Sequence, residues 1–121
     1  MSTGILVVQG LLGLAFLGTG IPKFLGVKFS VAMRDTLAVP AWFWRFTGAV
    51  EVIGAVGIIV GIWVPLVASL AALLLAATMI GAATTHLTRG DSPQRLAPAA
   101  IMLIMALVVA AAYLPTLARY V

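Results

Sequence analysis

The sequence predicts an all-α protein, an integral membrane four-helix bundle with a short interfacial segment between helices one and two. Three observations predict it. First, 64% of the 121 residues are hydrophobic and only 8% are charged, whereas about a quarter of a soluble domain is charged. Three acids and seven bases cannot coat a soluble surface of this size, which excludes a soluble monomer, a disordered chain and a nucleic-acid binder. Second, three long stretches carry no charge: Met1 to Pro22, Val52 to Thr85, and Leu96 to Ala118. Third, a membrane span takes roughly 20 apolar residues, so the middle stretch holds two spans. They separate at Trp63-Val64-Pro65, where proline interrupts a helix. The absence of cysteine excludes disulfides, thiolate metal sites and cysteine nucleophiles. A single histidine makes no metal site alone, so no metal is expected.

The four spans fall at about 4–22, 42–62, 65–87 and 96–118. They use nearly the whole chain, so a single transmembrane domain, 1–121, without a linker is expected. The first span lacks a basic leader and ends in Pro22-Lys23, unlike a cleaved signal peptide. The last is bracketed by Pro98 and Pro115 without a polar spacer, unlike a lipid-anchor signal. Between the first two spans, Leu25, Phe29, Met33 and Leu37 recur every fourth residue and share one helical stripe. This segment is expected to lie along the membrane interface, apolar side down. Pro40 ends it, and Trp42, Phe43 and Trp44 anchor the next span at headgroup level.

Four crossings put Lys23, Lys28, Arg34, Arg45, Arg89 and Arg95 on one side and only Arg119 on the other. The positive-inside rule then places both connecting loops in the cytoplasm and both termini outside a multi-pass protein of the cell membrane.

Glu51 is the most informative residue. An acid in the middle of a span costs about 2.5–3.5 kcal/mol on insertion scales, so it needs a partner. It either pins the bundle or serves in binding or proton chemistry. Gly48, Glu51, Gly54 and Ile58 share a helix face, and Gly57 and Gly61 make a neighbouring strip of small residues that lets helices approach. Glu51 therefore points into the bundle. His86 closes the third span after Thr84 and Thr85, as a cap at the headgroup boundary or as a ligand-binding or proton-transfer residue. Gln9, Gly13, Gly20 and Lys23 lie on one stripe of the first span. Lys23 and Arg45 either snorkel to the interface or join the site. The fourth span carries Met102, Met105 and an alanine-rich run, a lipid-facing wall or an oligomer face. Glu51 and His86 are thus the candidate catalytic residues, with Gln9, Lys23, Arg45 and Thr85 as candidate ligand-binding residues. Polarity in the cytoplasmic half converges on one pocket there. The glycine strip and the uncharged last span lead us to expect a homo-oligomer, a dimer or trimer, among membrane lipids.

Three stretches resemble the DoxX-like family of small four-helix membrane proteins. They are Phe16-Leu-Gly-Thr-Gly20-Ile-Pro-Lys23-Phe, Gly48-Ala-Val-Glu51-Val-Ile-Gly54 with Ile58 and Gly61, and Met79-Ile-Gly-Ala-Ala-Thr-Thr-His86. The resemblance implies association with quinone-linked sulfur oxidation and redox homeostasis, and among distant relatives assembly or cargo handling. It suggests a quinone as the cofactor and a membrane or redox protein as partner. Three functions follow as alternatives. One is a polar intramembrane pocket for a small apolar molecule, a quinone or isoprenoid-like lipid, in a redox-linked subunit or a small acid–base enzyme. The second is a non-catalytic assembly or cargo factor. The third is a small transporter, against which the one-sided polarity counts.

Overall fold

The computed structural model describes residues 2–121. Six helices follow in order: α1 (Thr3–Leu25), α2 (Lys28–Leu37), α3 (Ala41–Val60), α4 (Pro65–Thr88), α5 (Pro93–Ala112) and α6 (Leu114–Ala118), with no strand among the described residues. Four of them, α1, α3, α4 and α5, are long and apolar enough to cross a membrane. Short connections make them run alternately up and down. They form a ring in which α1 packs on α3, α3 on α4, α4 on α5, and α5 back on α1. One end of the ring holds α2 and six of the seven basic residues. We call it the basic end, and the other the terminal end.

Each long helix buries one narrow face. On α1 this is Gln9, Leu12, Gly13, Phe16 and Gly20, at the three-and-four spacing of a single helical stripe. Leu12, Phe16, Ala55, Ile58, Ala72 and Leu75 are completely enclosed. Leu14, Ile53, Leu70 and Ile104 stay exposed on the outside, the arrangement of a bundle whose solvent is lipid.

Helix boundaries follow local chemistry. Ser2 caps α1, its hydroxyl accepting from the Ile5 amide at 3.3 Å. Gly26, at φ 73°, ends it with a bond from its N–H to the Pro22 carbonyl. This left-handed turn favours glycine. Pro65 opens α4 and Pro93 opens α5, where a missing N–H removes no helical bond.

The last span differs from its expected limits. Helix α5 starts at Pro93, not residue 96, and stops at Ala112, after which a turn at Tyr113 leads into α6. Pro115 cannot donate to the Ala111 carbonyl, so a continuous helix to residue 118 is not sustained. Helix α2 is present and carries Phe29, Met33 and Leu37 of the expected stripe. Ser30 and Leu37 are buried, while Leu25 and Phe29 are 64% and 74% exposed. The turn at Gly26 leaves Leu25 on α1 and restarts the helical phase. Trp42 and Phe43 do sit outside, edge to face at 5.8 Å. Trp44, two residues and about 200° beyond Trp42 around the helix, turns inward and is buried.

The glycines set how closely the helices approach. A Cβ on Gly48 would meet the Lys23 Cβ at 2.7 Å and the Phe24 amide at 2.7 Å; one on Gly20 would meet the Gly48 carbonyl at 2.9 Å. Helices α1 and α3 therefore cross with backbone against backbone. A Cβ on Gly61 would meet the Ala68 backbone at 2.5 Å, so the glycine strip of α3 is used within the chain, against α4. It is not an outward face for a second copy.

Gly48→Ala is expected to lower stability by about 1–3 kcal/mol, the usual cost of overpacking a closed contact. Gly10→Ala, where a Cβ meets nothing within 4 Å, should be neutral or slightly stabilising. Thermal melts of the two variants in mild detergent check this, and equal melting would contradict the tight crossing.

Candidate functional site

The glycine crossing brings the side chain after Gly20 on α1 against the side chain after Gly48 on α3. Lys23 Nζ lies 2.9 Å from Glu51 Oε2. The Glu51 side chain is 1% exposed and that of Lys23 13%. The Thr19 hydroxyl donates to Glu51 Oε1 at 3.1 Å. The Lys23 ammonium also lies over the Trp44 ring, 4.8 Å from its centre, a favourable place for a cation. Trp44 in turn donates its indole N–H to the Ser30 hydroxyl of α2 at 2.8 Å. The short helix is thus fastened to the same cluster. Oε2 is paired in charge with Lys23 but receives no aligned hydrogen bond.

A second cluster joins the end of α4 to the start of α5. His86 Nδ1 lies 2.7 Å from Asp91 Oδ2. The other Asp91 oxygen accepts from the Ser92 amide at 2.9 Å, with the Arg95 guanidinium at 3.5 Å. Burial pushes the Asp91 carboxyl up, but the Ser92 N–H, the His86 ring and Arg95 outweigh it and hold the group below its usual value of 3.8. Asp91 was not singled out in the sequence. Its signal is faint: a loop acid five residues after a histidine.

Two cavities flank these clusters at the basic end. One, of about 340 Å³, lies among α1, α3, α4 and α5, with Thr19, Lys23, Glu51 and His86 in its wall. The other, of about 440 Å³, opens between α3 and α4, with Thr47, Thr85 and His86 in its wall. Lys23, Trp44 and His86 line both, and Met33 of α2 covers both. Both fall in the roughly 300–1,000 Å³ range of small-molecule sites.

Lys23, Glu51 and His86 therefore meet at the smaller cavity. Thr85 faces the larger one, its hydroxyl donating to the Gly81 carbonyl of its own helix at 2.9 Å. Arg45 is exposed and lines neither cavity. It follows Trp44 by one residue, so the rotation that turns Trp44 inward turns Arg45 out, toward Gly26. Gln9 shares the stripe of Lys23 but not its neighbourhood. It lies fourteen residues and about 21 Å along the helix, at the terminal end. There its amide donates to the Ile58 carbonyl at 2.8 Å and accepts from the Tyr113 hydroxyl at 2.7 Å. Ser69 donates to the Tyr113 carbonyl at 3.2 Å. Polarity is therefore not confined to the basic half. The terminal half holds a buried, fully partnered network, and the sequence offered no sign that Tyr113 and Ser69 belong to it.

A model of the DoxX-like family matches residues 7–110. The chain belongs to the DoxX-like family. The match takes in all four long helices except their outermost turns, and both polar clusters of the basic end. No curated protein and no solved structure matches the chain significantly. A DoxX-like protein with four such helices is a membrane protein, and here its buried acid is held by a lysine from the neighbouring helix.

Removing one partner of a buried ion pair costs about 3–5 kcal/mol, because the other charge is left uncompensated, whereas replacing both with apolar residues is often neutral. Lys23→Met is therefore expected to destabilise strongly, and Lys23→Met with Glu51→Leu to recover most of the loss. Denaturation of wild type, both single variants and the double variant measures this coupling. A simple sum of the single effects would show that the pair is not a unit.

Proposed function

We propose that this DoxX-like protein binds a small apolar molecule with a polar head, a quinone or isoprenoid-like lipid, in the cavity beside Glu51. The observation that carries the reading is a buried ion pair, Lys23 Nζ 2.9 Å from Glu51 Oε2, in the wall of a cavity of about 340 Å³. A polar head group that enters this cavity meets a fixed ion pair in otherwise largely apolar surroundings. The rest of the wall suits an apolar body: Met79, Ala99 and Met102 give it a soft, adaptable surface.

The residues fit such a head group. Lys23 balances the charge of Glu51, so a neutral ligand meets a site of little net charge. Glu51 and His86 are the groups able to hold or pass a proton, and Thr19 holds Oε1 in place. A quinone-type ligand would supply the electron chemistry, and the chain would supply binding, orientation and protons. Leu12, Phe16 and Ile58, all completely enclosed, fill the bundle between this site and the Gln9 network. That plug favours access from the basic end alone and argues for a redox-linked subunit or acid–base enzyme over a transporter. The surplus of basic residues supports a cytoplasmic position for this end.

Glu51→Gln keeps the size of the side chain but cannot ionise. The variant is expected to lose stability, because Lys23 is left without its counter-charge, yet to fold and to lose the lipid that co-purifies with the wild type, read by native mass spectrometry with lipid extraction alongside a thermal melt. A variant that keeps the same ligand would overturn the site. The orientation has its own check. The chain has no native cysteine, so Ser2→Cys and Ser92→Cys are the sole thiols in their variants. They should label from opposite faces of intact cells, Ser2→Cys from outside.

A further inference from the structure

All three acidic side chains of the sequence are engaged within the chain. Glu51 holds Lys23, Asp35 holds Arg34, and Asp91 holds His86 and Arg95. Lys28, Arg45, Arg89 and Arg119 have no ion-pair partner among the described residues, so their counter-charge must come from outside the chain. Two of them flank one turn. A Cβ on Gly26 would lie 3.9 Å from Arg45 Nη2. Lys28 follows Gly26 by two residues, so its backbone is at most about 7 Å away. Both side chains are exposed.

Next to that turn, on the outside of the α1–α3 crossing, runs an open groove of about 360 Å³. Ile21, Phe24 and Leu25 of α1 form one wall, and Ala49, Val52 and Ile53 of α3 the other. Ile21, Phe24, Leu25 and Ile53 are exposed, so the groove faces lipid and not the bundle. Arg45 lies one turn before Ala49 and about two turns before Val52 and Ile53, on the same face of α3. From Arg45 to Ile53 the helix rises about 12 Å. Trp42, 70% exposed, marks headgroup depth at this end of α3. A cation thus stands at the head of a wholly apolar groove.

We propose that Arg45 and the α1–α3 groove form a binding site for an anionic phospholipid, with its phosphate on the Arg45 guanidinium, Lys28 beside it, and one acyl chain along the groove. The site lies outside the bundle, apart from the cavity beside Glu51, and stands whether or not that cavity holds a ligand. The planar guanidinium matches two phosphate oxygens at once, and basic residues at the membrane surface attract anionic lipids. A zwitterionic lipid brings its own cation, which competes with Arg45 for the phosphate. A second copy of the chain is disfavoured as the occupant. In a two-fold contact the same patch meets itself, so two sets of Arg45 and Lys28 would approach at one depth with no acid left to separate them.

The test is native mass spectrometry of the full chain in detergent with equal amounts of dioleoyl phosphatidylglycerol and dioleoyl phosphatidylcholine, which share their tails. The wild type is expected to retain phosphatidylglycerol about fivefold or more over phosphatidylcholine, the worth of one basic residue beside an anionic lipid. Arg45→Gln should bring the ratio close to one, and Lys28→Gln should lower it in part. Arg89→Gln, at the same end but on α4, should leave it unchanged. All three side chains are exposed, so melting without added lipid should match the wild type. A wild-type ratio near one would overturn the site. So would equal losses in Arg45→Gln and Arg89→Gln, which would mark a diffuse effect of surface charge.

The groove has its own variants. Ala49→Leu fills its floor, and Ile53→Ala removes an exposed part of its wall. Each should weaken both lipids while keeping their ratio, and unchanged retention in both variants would take the groove out of the site. Glycerol phosphate, the same head without tails, should fail to displace bound phosphatidylglycerol when added in excess. Displacement would show that the phosphate alone is recognised and would overturn the lipid as the occupant. A dimer that Ala49→Leu dissociates and that phosphatidylglycerol leaves intact would put a second copy in the groove, and would overturn it equally.

Discussion

The contact between Lys23 and Glu51 is the constraint on which the basic end depends. A charge in hydrocarbon needs a partner, and the partner must come from another helix at close range. Two glycines, Gly20 and Gly48, remove the side chains that would hold α1 and α3 apart. The pair then organises its surroundings. Thr19 fixes one carboxylate oxygen, the ammonium occupies the face of Trp44, and Trp44 reaches Ser30 to hold α2 across the opening. An ion pair this deep adds little net stability compared with a well-packed apolar contact. Its role is to specify which helices meet and in which rotation, and to seat a charged pair in the wall of a cavity.

The two halves of the bundle treat polarity differently. At the terminal end, the Gln9 amide donates and accepts, and Tyr113 and Ser69 close the network. Every member is partnered, which makes it a fastening. At the basic end the ion pair and His86 stand in the wall of an open cavity instead. That contrast sets a closed network apart from an open cavity within one small protein. The enclosed side chains of Leu12, Phe16 and Ile58 keep the two apart.

Much of this was legible in the sequence, and the losses have a common cause. The spans follow from uncharged length, the break before Pro65 from proline, and the inward direction of Glu51 from glycines three residues to either side. The family resemblance rested on the same residues. What the sequence left hidden are contacts set by helix rotation and by distance along the chain. Arg45 and Trp44 are adjacent, and only the packed helix shows which one faces inward. Gln9 and Lys23 share a stripe, yet the rise of the helix puts them in different clusters. Tyr113 lies 104 residues from its partner Gln9, within a stretch that reads as apolar, and Asp91 reads as an ordinary loop acid until its distance to His86 is known.

The two polar networks are both anchored on the α1–α3 pair, one near each end. In mechanical terms this is a two-point mount. A slip of α1 by one turn, about 5.4 Å, would unseat the Lys23 ammonium and the Gln9 amide together, and rotation would do the same. Helix α1 is therefore fixed relative to α3 in both translation and twist. Helix α2 is held differently, by one side-chain hydrogen bond to Trp44 and the burial of Leu37. It hangs between Gly26 and Ala38, both in the left-handed conformation. The part of the fold most free to move is therefore α2, swinging about those two joints, with the four spans standing still as its frame.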